Sequence, residues 1–352
     1  MNWGGFTMIT IHKERVLQIA TNLLTEHSPT GYCNEIMGSI EEFVKNVGYD
    51  FEKTNKGGGI ITIPGESDEK VIGLSAHVDT LGAMVRSITS HGTLKFTLLG
   101  GPLVPTWDGE YVFVKTRCGK TYSGTILSTS PSVHVFEDSK TKKREPQHME
   151  VRLDEVVHTK EDVLKLGIGV GDFICIDPKT TVTESGFLKS RFIDDKGSVA
   201  CLLALIEIMK QENIVPAYNV KIVISNYEEV GHGSSYIPQD ITEYISVDMG
   251  CIGDDLSCTE YDVSICAKDS SGPYDYDITS TFISLAKENN LKYAVDIYPM
   301  YGSDTSAALS GGNDIKGGLI GPGVHASHGM ERTHYSALEN TIKLIYLYIT
   351  KK

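Results

Sequence analysis

Three apolar, strand-like runs in this sequence end in residues able to bind a cation or take up a proton. VIGLSA (71–76) runs into His77 and Asp79, VKIVISNY (220–227) into Glu228 and Glu229, and EYISV (243–247) into Asp248. In an open α/β sheet, ligands bind at the carboxyl ends of the strands, so these three endings are candidates to converge in one crevice. In an extended chain, side chains two residues apart share a face, which puts His77 and Asp79 on the same side. An imidazole suits zinc or cobalt, and a nearby carboxylate can fix its tautomer. Adjacent carboxylates such as Glu228 and Glu229 repel each other unless a cation or a shared proton separates their roles. One can then ligate while its neighbour accepts a proton from water.

Two further segments supply the same residue types. Asp194 and Asp195 lie just ahead of a helical pattern, and GVHASHGMERTH (323–334) crowds His325, His328 and His334 beside Glu331. Each has a bland account. The aspartates could cap the helix, the reading favoured for Asp195, and Asp248 could be a turn residue before Gly250. One of the three crowded histidines is the candidate ligand. His12, His27, His91, His134, His148, His158 and His232 lack comparable company and read as structural.

The elements that must position these residues follow from periodicity. Apolar residues at Val16, Ala20, Leu23 and Leu24, and again at Ile36, Ile40, Phe43 and Val47, predict two opening helices separated by the turn SPTG (28–31). The preceding MNWGGFTM reads as a loose tail, with Met8 a second candidate start. Ile60–Ile63 and Val71–Ala76 are expected strands. From about Ala83 to Gly186 the pattern becomes alternating short strands (LKFTLL, EYVFVKT, TYSGTIL, MEVRLD, DFICID), an all-β insert. Beyond it, a helix over 198–210, the strands VKIVIS and YISV, and a helix from Leu338 onward restore helix–strand alternation. The expected fold is α/β: a mixed central sheet with helices on both faces, formed by residues 1–82 and 187–352 and interrupted by a small β-barrel-like domain at 83–186.

Bulk properties narrow the function classes. A chain of 352 residues, 40% hydrophobic and 22% charged, has the composition of a folded protein with a substantial core. A net charge of −14 repels phosphate backbones, which excludes nucleic acid as an expected partner. No apolar run approaches the length of a bilayer span, so no membrane association is expected. Seven cysteines, an odd number without a CxxC pair, fit a reducing cytoplasmic compartment.

Taken in order, SPTG, AHVDTLGAMV, SRFIDDKGSVA, NYEEVGHG, ISVDMG and YGSDTSAAL resemble the motifs of the tetrahedral-shell aminopeptidases, which include glutamyl aminopeptidases and proteins once labelled endoglucanases. The resemblance spans nearly the whole chain. It implies two divalent cations per subunit, zinc or cobalt, bridged by Asp194. Glu229 and His328 would complete one site, and His77 and Asp248 the other. It further implies Glu228 as general base, Asp79 as catalytic support, short peptides as substrates, and a homo-oligomer of twelve subunits closed by the β insert. Counting forward without gaps from GSDT favours His328 over His334 as the histidine ligand. Lys196 replaces the usual arginine, Thr80 a common acidic residue, and Glu331 lies one residue nearer the histidine than in the family pattern. The rival chemistries are metal-dependent deacylation of a small acylated amine and metal-free glycoside hydrolysis by paired carboxylates.

Overall fold

The computed structural model describes residues 9–352; the MNWGGFTM tail lies outside the described residues. The two opening helices are α1 (Lys13–Thr25) and α2 (Asn34–Val47). Helix α2 stops at Gly48, whose left-handed backbone (φ 96°) lets the amides of Gly48 and Tyr49 return to the Val44 carbonyl. Strands β1 (Phe51–Lys53), β2 (Gly59–Ile63) and β3 (Ser67–His77) follow.

The chain then leaves for a closed antiparallel barrel of β4 (Gly82–Ile88), β5 (Leu94–Leu99), β6 (Tyr111–Lys115), β7 (Thr121–Ser128), β8 (Met149–Leu153) and β9 (Phe173–Ile176). Closure removes the sheet edges that such short strands would otherwise expose. Val112, Val114, Ile126, Val151 and Ile174 fill its interior. One element here departs from the all-β expectation. Helix α3 (Lys160–Leu166) forms where Thr159 and Asp162 make a reciprocal capping box, a local signal that the alternation of neighbouring segments masks.

After the barrel come β10 (Thr181–Val182), β11 (Phe187–Ser190), α4 (Ile193–Glu212), β12 (Tyr218–Ser225), β13 (Ile241–Val247), β14 (Gly250–Cys251) and β15 (Val263–Lys268). The remainder is α5 (Tyr276–Glu288), β16 (Tyr293–Ile297), α6 (Asp304–Ser310), β17 (Lys316–Val324), β18 (Glu331–His334) and α7 (Tyr335–Thr350). The main sheet runs β1-β2-β12-β3-β13-β17-β15-β16, with β14 added beside β17. Its centre, β12, β3, β13 and β17, is parallel, and the flanks are mixed. Helix α4 is buried almost all round, between α1, α7 and the sheet, as its run of apolar residues requires. A separate small sheet, β10-β11-β18, joins the segment after the barrel to the histidine-rich segment.

Candidate metal centre

β3 lies between β12 and β13 and runs parallel to both, so the three apolar runs end side by side at one edge of the sheet. Ser225 pairs with His77, the last residue of β3, so the chain following β12 delivers Glu228 and Glu229 beside the imidazole. Asp248 follows β13. Asp194 comes from the start of α4, where Asp194 (ψ 102°) and Asp195 (ψ 20°) depart from helical geometry before the regular helix begins. His328 arrives on the turn between β17 and β18 with a left-handed backbone (φ 63°).

These side chains meet. His77 Nε2 lies 3.2 Å from Asp194 Oδ1 and 3.6 Å from Glu228 Oε2. His328 Nε2 lies 3.5 Å from Asp194 Oδ2 and 3.6 Å from Glu229 Oε2. Asp194 therefore turns one oxygen to each imidazole. Ligand atoms of His77, Asp194 and Glu229 lie within 4.8 Å of one another, as do those of His77, Asp195 and Asp248. Each ring is fixed through its other nitrogen: His77 Nδ1 lies 2.9 Å from the Asp79 carbonyl oxygen, and His328 Nδ1 lies 2.9 Å from that of Gly101. With those carbonyls accepting, both rings donate from Nδ1 and present Nε2 lone pairs to the centre.

Asp79 stands beside the His77 ring, with Oδ1 3.6 Å from Nδ1, and its hydrogen bonds go elsewhere. Its carboxylate accepts the Thr30 hydroxyl (2.7 Å) and the backbone N–H groups of Glu228 (3.1 Å) and Glu229 (3.2 Å), so it fixes the turn that carries both glutamates. The SPTG turn closes on this segment: Thr80 N–H donates to the Ser28 carbonyl, and Thr30 N–H to that of Thr80.

Three roles were not foreseen. Asp195, for which helix capping was favoured, is buried and accepts the His77 backbone N–H at 3.2 Å, because the irregular first turn aims its carboxylate across at β3. Buried Glu331 accepts the backbone N–H groups of Asp194 and His328, both at 3.1 Å, tying those two segments together. Gly101 holds a ring from the far side of the barrel boundary. For Asp195 the signal was the DD pair itself; for Glu331 it was a carboxylate among histidines; the glycine carries none. Of the other crowded histidines, His334 caps α7 with its ring against Ser336 and Ser185, and His325 is exposed. Lys196, Thr80 and Glu331, the departures from the family pattern, all stand outside the cavity described below.

The electrostatics are lopsided. Asp79, Asp194, Asp195, Glu228, Glu229, Asp248, Asp304 and Glu331 gather around two imidazoles, and no lysine or arginine forms an ion pair with any of them among the described residues. Protons have to balance this charge when nothing else does. Burial, reinforced by Asp194, pushes Asp248 up to about 7 and Glu331 up to about 8. Burial likewise holds Glu228 and Glu229 well above the ordinary range. On His328 burial works against the charge, but Asp194 and Glu229 outweigh it and raise the ring to about 10. Glu229 Oε1, Asp195 Oδ1 and Asp304 Oδ1 are buried with no hydrogen-bond partner. Buried carboxylates with unpartnered oxygens, clustered with imidazole nitrogens, are what a set of divalent-cation ligands looks like, and the N/O donor set suits zinc, cobalt or manganese. The residues present fit such ions. A cavity of about 550 Å³ opens onto Asp194, Glu228, Glu229, Asp248 and His328.

A cation site at the carboxyl edge of a mixed sheet, with a carboxylate to spare, describes a metallohydrolase, and sequence comparison gives the class. Residues 57–344 match the model of the M42 glutamyl aminopeptidase family, and the chain belongs to that family. It is 47% identical over 336 residues to a Bacillus subtilis (strain 168) protein described as a candidate aminopeptidase, YhfE, covering 95% of this chain and 97% of that one. In fold it resembles the aminopeptidase APDkam598 of Desulfurococcus kamchatkensis (TM-score 0.86, 21% identity, covering 97% of this chain and 96% of that one). It also resembles the Pyrococcus horikoshii TET1 peptidase, which can assemble into a tetrahedron or a large octahedral shell (TM-score 0.83, 22% identity, 96% and 100%). The chain is thus a peptide hydrolase, which answers the glycosidase alternative.

Proposed function

We propose that this aminopeptidase holds two divalent cations, zinc or cobalt, and releases the first residue of short peptides with Glu228 as general base. His77 and Asp248 would hold one cation and Glu229 and His328 the other, with Asp194 between them. When bound, such a pair polarises the scissile carbonyl and lowers the pKa of water towards 7.

The chain's own residues do the rest. Glu228 takes the proton from the attacking water and returns it to the leaving amine, so the nitrogen departs as a neutral amine and not as an anion. It suits this because its side chain, 16% exposed, opens to the cavity, whereas that of neighbouring Glu229 is 4% exposed. Asp79 holds the amides of both glutamates and places its negative charge beside the His77 ring. Asp195 steadies the backbone of His77, and Glu331 those of Asp194 and His328.

The observation that carries this reading is the placement of Asp194, one oxygen toward each imidazole, beside an unpartnered Glu229 oxygen. The test is Glu228→Gln. It should bind two equivalents of metal, as measured by plasma mass spectrometry after dialysis, yet lose about a hundredfold or more in kcat, the scale of general-base catalysis. Undiminished turnover would refute the assignment of the base.

We further propose a cytoplasmic homo-oligomer of twelve subunits with the barrel at its contacts. The assembly of the Pyrococcus horikoshii TET1 peptidase supports the oligomer, and seven cysteines without a disulfide support the reducing compartment. Twelve copies of a 38.5 kDa chain would weigh roughly 460 kDa by light scattering.

A further inference from the structure

The cavity has two unlike walls. One carries the carboxylates and His328; the other is built from residues 300–311, with Ser303, Ser306, Ala307 and Ser310 on the facing side of α6 and Met300 at its rim. Gly231 and Gly233 also line it, and Gly233 packs so close to α6 that a first side-chain carbon would overlap Asp304 Oδ1. Among the described residues, no lysine or arginine lines it.

The cation that reaches this region is Lys56, and its ammonium is already engaged. It donates to the carbonyl oxygens of His232 and Gly233, at 3.0 Å for Gly233. The wall itself carries a carboxylate, Asp304, and a second, Asp269, stands behind it. Asp269 accepts hydrogen bonds from Ser306, Tyr274 and Ser271, so the Ser306 hydroxyl that faces the cavity is donated backward. Asp304, at the first position of α6, is buried, with one oxygen bonded by Ser225 and the other unpartnered. An acidic side chain lying against α6, away from the cation ligands, would be desolvated with no lysine or arginine on the wall among the described residues to pair with it and with Asp304 and Asp269 nearby. An uncharged side chain meets small, neutral surface, and a basic one meets a favourable field.

We propose that this enzyme removes uncharged or basic first residues and rejects glutamate and aspartate, although the family model it matches is described as glutamyl aminopeptidase. The inference rests on the aminopeptidase reading of this cavity.

The experiment measures kcat/KM for the metal-loaded enzyme on leucyl, methionyl, lysyl, glutamyl and aspartyl p-nitroanilides. The acidic pair should fall about a hundredfold below leucyl; a deficit smaller than tenfold overturns the proposal. Ala307→Lys and Ser310→Arg place a cation on the wall at positions that are not fully buried. At least one should raise the glutamyl-to-leucyl ratio tenfold or more, and no movement in either overturns it. Calorimetric titration with free leucine, lysine and glutamate separates this proposal from the catalytic one. Glutamate should bind at least tenfold more weakly than leucine even if no anilide is cleaved, and equal binding would sink the selectivity while leaving the base assignment intact.

Discussion

The two halves of the proposed metal centre are built differently. The His77–Asp248 half belongs to one sheet: both residues follow neighbouring parallel strands, β3 and β13, and the His77 ring is fixed by the carbonyl of Asp79, two residues along its own chain. Its imidazole is 2% exposed. The Glu229–His328 half spans two lobes. His328 is 38% exposed, sits on a left-handed turn, and takes its ring partner from Gly101 and a backbone bond (2.9 Å) from Leu103, both in the loop that leaves β5. In the same loop Gly100 packs so closely that a first side-chain carbon would lie 2.5 Å from Leu81 Cδ2 and 3.3 Å from the Glu229 carbonyl oxygen. One half is assembled when the sheet folds. The other is complete only when the barrel has docked.

The sharpest way to break that comparison is to remove each imidazole in turn. His77→Ala and His328→Ala should both lose at least about a hundredfold in kcat/KM, since either removes part of the charge stabilisation. Their metal contents should differ. His328→Ala is expected to retain one tightly bound equivalent, whereas His77→Ala, lacking the ring common to both close ligand groups, should retain less than one. Equal occupancy in the two variants would dissolve the distinction between the halves.

A smaller effect tests whether the barrel loop matters to the second half without touching a ligand. Gly100 adopts a backbone conformation (φ 70°) that β-branched residues resist, and Gly100→Val should shift the loop off His328. Loss of an outer partner to a metal-binding imidazole weakens affinity about 10- to 100-fold. Competitive chelator titration should show that loss for one equivalent only, with the circular dichroism spectrum and the other equivalent unchanged. Weakening of both together would mean that the loop supports the whole fold and not one half.

The same division explains what could be read in the sequence. His77, Glu228, Glu229 and Asp248 announced themselves because each follows an apolar run, and parallel pairing of adjacent strands turns that pattern into proximity. The barrel's alternating strands were likewise visible. His328 stood among three histidines that local pattern alone did not separate, since its place depends on a turn anchored by Glu331 and on a glycine carbonyl more than two hundred residues away. Backbone carbonyls leave no trace in residue identity. A DD pair ahead of a helix reads as capping, yet Asp195 turns to β3 because the first turn of α4 is irregular, a feature that its sequence does not display. Helix α3 was hidden by brevity, held by a cap and one buried residue, Val163.

The lobe boundary also carries a pH-sensitive contact, and it gives the finest test of how far the two lobes depend on each other. His27 follows α1 and packs its ring, tilted by 33°, with its centroid 4.8 Å from that of Phe113 in barrel strand β6. Burial, with Lys115 and Lys196 nearby, lowers it from 6.5 to about 4. Between these values the unfolded chain binds a proton that the folded one refuses. The contribution is therefore intact above pH 6.5, falls as pH drops toward 4, and changes no further below it. Discounted for the ring's partial exposure, the loss amounts to about 1–2 kcal/mol. His27→Phe keeps an aromatic ring against Phe113 and removes the titration. Urea denaturation of the chelator-treated protein at pH 7 and pH 4.5 should show a smaller acid loss in His27→Phe than in wild type by that amount. At pH 7, where the wild-type ring is neutral and the phenylalanine ring cannot titrate, the two proteins should be about equally stable, and a gap as large as the acid one would mean that packing and not titration separates them.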